Sequence, residues 1–317
     1  MKVIEHIKAA KSTLFSIEIL PPLKGKSIES IYEGIDPLME FNPAFVDVTY
    51  HREEYVFKKN SDGSLERKAI KKRPGTVGIS AALAYKYDVD AVPHIICGGF
   101  SKEETENALI DLHFLGLDNV LAIRGDQIKS EERFIPHPNG HSHALDLVKQ
   151  VANMNKGKYL DDELMDAAKT DFCIGVAGYP EKHFEAMSVD SDFNYLKEKI
   201  AAGADYIVTQ MFYDNKKYFE FVQKCRANGI IVPIIPGLKV LTTMKQIDIL
   251  PSIFHIELPK DFKDELLKCK TDKEVKEVGI EWSIQQSKEL YQANVPVLHY
   301  YTMGTSDSTK RVAEKIF

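Results

Sequence analysis

A chain of 317 residues with 44 % hydrophobic and 28 % charged side chains is a soluble globular sequence, long for an ordinary domain but of the size α/β barrels use as one unit. Its net charge of −6 excludes a nucleic-acid binder that needs a basic face, and no stretch approaches the roughly 18 apolar residues of a membrane span. Neither an export signal at Met1-Lys2-Val3 nor a Cys-x-x-Cys pair is present, so the expected setting is a reducing cytoplasm with buried free thiols.

In chain order, an amphipathic segment at 4–14 precedes an apolar run at 15–20 that stops at Pro21-Pro22. Ile28, Ile31, Ile35 and Leu38 then have helical spacing, and Asn42-Pro43 resets the chain for a second run at 45–49. The segment 51–75 is polar, contains Asp62-Gly63, and carries Lys68, Lys71, Lys72 and Arg73; it is expected to be a long solvated loop. A helix at 76–87 and a run at 91–97 follow. Ser101 with Glu104 forms a capping box that opens a helix ending before Gly116. The later runs are 120–123, 172–177, 206–209, 230–235 and 297–301, and the later helices 143–154, 192–202, 215–228, 242–250 and 306–316. One or two further helices occupy 259–294, with Trp282 on the longer.

Eight short runs rich in Val, Ile and Phe, most followed by a helix, predict a (β/α)8 TIM barrel formed as a single domain over residues 1–317. The eight strand ends converge on one face of such a barrel, which is where its chemistry is expected.

Glu18 interrupts the first strand. Desolvation among apolar neighbours is expected to raise its pKa toward neutrality, making it a general acid; the alternative is a structural carboxylate paired with Arg or Lys. Arg124-Gly125-Asp126 ends the fourth run, as either a binding turn or an ordinary ion-paired one. Gln210 ends the sixth, where its amide suits a pterin-like edge or is simply a surface residue. His137, His141 and His143 lie in a Pro/Asn/Gly loop without a ligand motif, so a solvated loop is expected and no metal site. No Gly-x-Gly-x-x-Gly follows any strand, which excludes a Rossmann crossover.

Taken in order, several strings resemble the methylenetetrahydrofolate reductase family. They are Phe15-Ser16-Ile17-Glu18-Ile19-Leu20-Pro21-Pro22, Val48-Thr49-Tyr50, Pro93-His94, Ile123-Arg124-Gly125-Asp126 and Ala177-Gly178-Tyr179-Pro180-Glu181-Lys182-His183. Ala202-Gly203-Ala204, Thr209-Gln210-Met211-Phe212-Tyr213-Asp214, Ile235-Pro236-Gly237 and Tyr300-Tyr301-Thr302 complete the set. The resemblance implies an FAD-containing barrel of one-carbon metabolism that reduces 5,10-methylenetetrahydrofolate with NADH or NADPH, in ping-pong fashion and as a homo-oligomer. Glu18 would protonate folate N10, and Asp126 would lie between flavin and pterin. FAD would be held by Thr49, Tyr50, His94, Arg124, Gly125, Asp126, Ala144, Tyr179, His183, Ala186, Asp192 and Lys199; substrate would meet Asp126, Gln210, Gln246 and Tyr301. Where the family usually carries Leu-Asn-Arg after Tyr-Thr, this chain has Met303-Gly304-Thr305, so Arg311 or a base of the 52–73 segment would replace that arginine. The resemblance covers the barrel and not the regulatory domain of eukaryotic members, so inhibition by S-adenosylmethionine is not expected. Two other readings remain: a proline dehydrogenase-like FAD barrel, or a flavin- or folate-binding subunit without turnover.

Overall fold

Alternation with period two decides which residues face the barrel axis and which face the helices. The computed structural model describes residues 1–128, 131–303 and 306–317. Its strands are β1 (Leu14–Ile19), β2 (Phe45–Val48), β3 (Glu54–Lys59), β4 (Leu65–Ile70), β5 (Asp90–Ile96) and β6 (Asn119–Ile123). They continue with β7 (Cys173–Gly178), β8 (Tyr206–Thr209), β9 (Ile234–Ile235), β10 (Gly237–Leu238) and β11 (Val297–Tyr301). The parallel sheet runs β10-β11-β1-β2-β5-β6-β7-β8-β9.

Phe15, Ile17, Val46, Val48, Val120, Ala122, Ile174, Val176, Ile207 and Leu298 face outward and join the core beneath the helices. Phe45, Val92, Leu121, Cys173, Tyr206, Ile235 and Val297 fill the lower interior, and Val3 closes that end. Val3 belongs to α1 (Val3–Ala9), so the segment expected to be amphipathic over 4–14 is a short plug followed by the start of β1. The Val3 amide donates to Asn119 Oδ1 at 2.9 Å, which seats the plug on β6.

Two expectations are corrected. The seventh run is not a strand at 230–235: the strand begins at Ile234, is broken by Pro236, and resumes as β10. Proline has no N–H for the ladder, so the two halves pair on different sides, β9 with β8 and β10 with β11. This kinked strand is what closes the barrel. The segment 51–75 is also not an open loop, since β3 and β4 form an antiparallel hairpin with Asp62-Gly63 in its turn. Arg52 at its base forms an ion pair with Glu131 and anchors it to the segment after β6.

The crossovers are α2 (Glu29–Met39), α3 (Thr76–Tyr87), α4 (Lys102–Phe114), α5 (Ala144–Met154), α6 (Val189–Ala201), α7 (Asn215–Ala227) and α8 (Met244–Phe254). The stretch 259–294 holds two helices, α9 (Lys260–Lys268) and α10 (Asp272–Gln292), with Trp282 on the longer, and α11 (Asp307–Ala313) ends the chain. Ser101 caps α4 with Glu104 as the sequence predicts, and Ser188 caps α6 earlier than expected. His141 is buried against Gln150 and His143 is the N-cap of α5, so the histidine loop is not simply solvated. The cysteines are free, with Cys97, Cys173 and Cys225 buried. Among the described residues no helix is long and apolar enough to cross a membrane.

Gly237 sits where the closing strand bends. A Cβ there would meet Thr209 O at 2.2 Å and Tyr301 Oη at 2.4 Å. Gly237→Ala is therefore expected to destabilise the fold by about 1–3 kcal/mol, the usual cost of forced overpacking, as read from urea unfolding.

Candidate active site

Register brings the inward polar residues together. Ser16 pairs with His299, and Glu18 lies beside Tyr301 on one side and Asp47 on the other. Thr49 Oγ1 donates to Glu18 Oε1 at 2.7 Å and lies 2.9 Å from Ile19 O. His94 Nε2 stands 3.6 Å from Glu18 Oε2 and 3.3 Å from Asp47 Oδ2. His299 Nε2 is 3.9 Å from Glu18 Oε2, while its Nδ1 bonds Ser16 Oγ at 2.8 Å. The Thr302 amide and hydroxyl both donate to Glu18 O, fixing the strand end that carries the acid.

Burial pushes the Glu18 carboxyl up, but the charge of His94, the hydrogen bond and charge of His299, and the Thr49 hydroxyl outweigh it. The carboxyl is held below its ordinary range. The expectation of a Glu18 kept protonated by desolvation is thereby corrected: apolar neighbours in sequence are not its neighbours in space. Burial pulls His94 down, yet the Glu18 charge and the Asp47 bond and charge raise it above the usual histidine value. Both directions favour a proton on the imidazole over one on the carboxyl. Lys239 is buried nearby and donates to Tyr301 O at 3.1 Å; burial pushes its amine down to about 8, against the pull of Glu18.

A second cluster lies at the ends of β6 and β7. Arg124 pairs with Glu185 and lies over the Phe134 ring at 4.7 Å. Gly125, at φ +81°, turns the chain against the Ile96 side chain. Tyr179 and His183 meet edge to face at 4.7 Å, and the His183 amide donates to Asp192 Oδ2 at 2.9 Å. Lys199 Nζ donates to Ala177 O at 2.7 Å, and burial pushes it down to about 8 with only partial relief from Asp192. Glu181, next in the loop, accepts from the Glu257 amide at 2.9 Å, and burial pushes it up to about 7.

The donors in this second cluster fit the diphosphate end of a flavin dinucleotide. Arg124 and the buried Lys199 supply positive charge, and Lys199 has a carbonyl rather than a carboxylate as its partner. Gly125 permits close approach of backbone to ligand.

The other expected residues are placed as follows. Thr49 and His94, assigned to the cofactor by resemblance, are engaged with Glu18. Tyr50 packs on Phe100 and lines a cavity of about 130 Å³ with Lys71, Thr76 and His94. Asp126 is exposed at the mouth. Ala144 opens α5, and the Ala186 amide donates to His183 O. Gln210 Oε1 accepts from the Met211 amide, and Gln246 Oε1 accepts from the Thr242 and Thr243 amides as a helix cap, so neither bond engages their NH2 groups. Tyr301 Oη donates to Thr209 O at 2.7 Å. Arg311 is held by both carboxylate oxygens of Glu277 in an exposed ion pair. Gly304 and Thr305 lie outside the described residues.

Sequence reasoning missed Ser16, Asp47, Lys239 and His299. A signal was available: Ser16, Asp47 and His299 each stand two positions before a flagged residue, and so on the same strand face.

Fold and site together define a (β/α)8 barrel with a buried acid–base cluster at the C-terminal ends of its strands. Residues 2–316 match the family described as methylenetetrahydrofolate reductase, and the chain belongs to that family. Methylenetetrahydrofolate reductase 1 of Schizosaccharomyces pombe is 31 % identical over 313 residues, covering 98 % of this chain and 47 % of that protein. Methylenetetrahydrofolate reductase (NADH) 1 of Arabidopsis thaliana is 31 % identical, covering 97 % and 49 %. The chain thus spans about half the length of these relatives. The 5,10-methylenetetrahydrofolate reductase of Pectobacterium carotovorum is 29 % identical over 300 residues, covering 92 % of this chain and 86 % of that one. A solved Clostridium thermocellum protein, described as binding two copies of 5-methyl-5,6,7,8-tetrahydrofolic acid, shares the fold with a TM-score of 0.57 at 13 % identity, covering 99 % of this chain and 98 % of that one.

Because Thr49 stabilises the charged form of Glu18, Thr49→Val is expected to move that carboxyl's pKa upward. Carboxyl infrared bands followed through an acid titration check this; an unmoved titration would mean that the hydroxyl serves Ile19 O alone.

Proposed function

We propose that residues 1–317 act as one catalytic unit that reduces 5,10-methylenetetrahydrofolate to 5-methyltetrahydrofolate, with NADH or NADPH as reductant and FAD as carrier. The observation that carries this reading is Glu18, whose carboxylate is held at the barrel mouth by Thr49, His94 and His299. Family membership supports the substrate class.

FAD, when bound, supplies the hydride chemistry between nicotinamide and the folate one-carbon unit. Arg124 and Lys199 would hold its diphosphate, with Gly125, Tyr179, His183 and Asp192 shaping that end of the site. Asp126, exposed at the end of β6, would face both ring systems. Gln210 and Gln246 would present their free NH2 groups to the substrate.

Glu18 supplies the proton. A proton taken up by its carboxylate passes to folate N10 as the bond from N10 to the bridging carbon breaks; that bond's electrons stay on N10, and the N5 lone pair closes an iminium to the same carbon. The proton leaves the protein at Glu18 Oε, so the side chain finishes ionised, the form its neighbours favour. One mouth serving nicotinamide and folate in turn gives ping-pong kinetics.

Glu18→Gln keeps the shape and removes the proton. Anaerobic stopped flow is expected to show bleaching of the yellow protein by NADH or NADPH at the parent rate, and recovery of colour with methylenetetrahydrofolate slowed by about 10²–10⁴-fold. Equal impairment of both half-reactions removes the acid role, and a colourless purified protein removes the flavin.

A further inference from the structure

The acid does not stand alone. One nitrogen, His94 Nε2, lies between two carboxylates, 3.3 Å from Asp47 Oδ2 and 3.6 Å from Glu18 Oε2. The side chains of Asp47, His94 and Glu18 are 0 %, 3 % and 13 % exposed. Two carboxylates this deeply buried around a neutral imidazole would leave two uncompensated charges, whereas a protonated imidazole between them removes most of that cost. We propose that Asp47 and His94 are positioning residues that store the proton Glu18 delivers, Asp47 keeping it on the imidazole and His94 handing it on. The proposal rests on the folate-reducing reading above and adds the origin of its proton.

The other groups facing this row leave His94 as the store. Just after β10, Lys239 donates to the Tyr301 carbonyl and not to a carboxylate oxygen. On β11, His299 is tied through Nδ1 to Ser16, and the Tyr301 hydroxyl is tied to Thr209 O. Burial, with the Asp47 charge added, raises the phenol of Tyr206 on β8 well above the usual value, so it stays neutral. Lys71 approaches from the other side, lining the small cavity that His94 and Tyr50 also line. The directions of the shifts agree with this arrangement, His94 being raised and Glu18 lowered.

The step balances without a further reagent. The Nε2–H proton crosses to the Glu18 carboxylate at Oε2 and Glu18 passes one proton on to the folate nitrogen, so that one proton in all is transferred, leaving His94 neutral and Glu18 ionised as before. A proton from solvent then re-enters at Glu18, the most exposed of the three, and returns to His94. Asp47 never touches substrate.

The test follows His94 directly, by NMR of ¹⁵N-histidine-labelled protein without folate, its signal identified by loss in His94→Gln. In the parent, His94 is expected to stay protonated above the ordinary histidine pKa of about 6.5. In Asp47→Asn it is expected to titrate at lower pH. Stopped flow on Asp47→Asn is expected to leave flavin reduction by NADH within about twofold, and to slow reoxidation by methylenetetrahydrofolate by about tenfold near pH 8, with recovery toward pH 6. A purely structural role would slow both half-reactions and leave no such recovery. The proposal is overturned if His94 of the parent titrates at or below the ordinary value, a measurement that needs no variant to fold. It is also overturned if Asp47→Asn leaves the titration unmoved. A parent whose folate turnover is intact while His94 titrates low sinks the store alone; a parent with the His94 proton in place but no reoxidation by folate sinks the reductase reading and the delivery step with it.

Discussion

Charge compensation inside the barrel is the constraint on which the site depends. An ionised carboxylate placed in the interior must be met by a cation or by several donors, or the strand carrying it is destabilised. Asp47 and Glu18 come from adjacent strands, and His94 from the next strand satisfies both at once. Thr49 and His299 complete the surroundings of Glu18, and Thr302 pins its backbone. Removing one member leaves a buried charge without its partner, so the cluster acts as a unit.

The two ends of the barrel are built for different work. The lower interior is apolar, filled by Phe45, Val92, Leu121 and Tyr206 and closed by Val3, and so contributes burial free energy. The upper interior gives up that contribution in exchange for polar groups at the strand ends, where (β/α)8 barrels place their chemistry. The closing strand joins the two demands. Pro236 breaks its ladder, and Gly237 leaves room for the Tyr301–Thr209 hydrogen bond directly beside the acid cluster.

Two charge environments share the mouth. Around Glu18 the groups are paired so that a proton can be held and moved; farther along the strand ends, Arg124 pairs with Glu185 and Lys199 bonds the Ala177 carbonyl. Lys199 and Lys239 are both buried amines bonded to main-chain carbonyls, yet only Lys239 feels the Glu18 charge, and so it belongs with the acid rather than with the Arg124 and Lys199 cluster. The hairpin of β3 and β4 has its base fastened by Arg52 to Glu131.

Much of the fold was legible because period-two alternation and helix caps are local: seven of the eight strands fall where apolar runs lie, and Ser101 caps its helix as its spacing to Glu104 implies. The hairpin was illegible because its residues are polar on an exposed pair of strands, and the split strand because a proline inside an apolar run reads as an ending. The sequence by itself determined the barrel and the family, and it singled out Glu18 on the first strand. Only the tertiary structure decided that the Glu18 carboxyl is held below its ordinary range, that His94 and Thr49 lie against it, and that Asp47 and His299 face the same cluster. The reason is physical: ionisation depends on which charges are near in space, and Ser16 meets His299 across 283 positions of chain, a closeness no local pattern encodes.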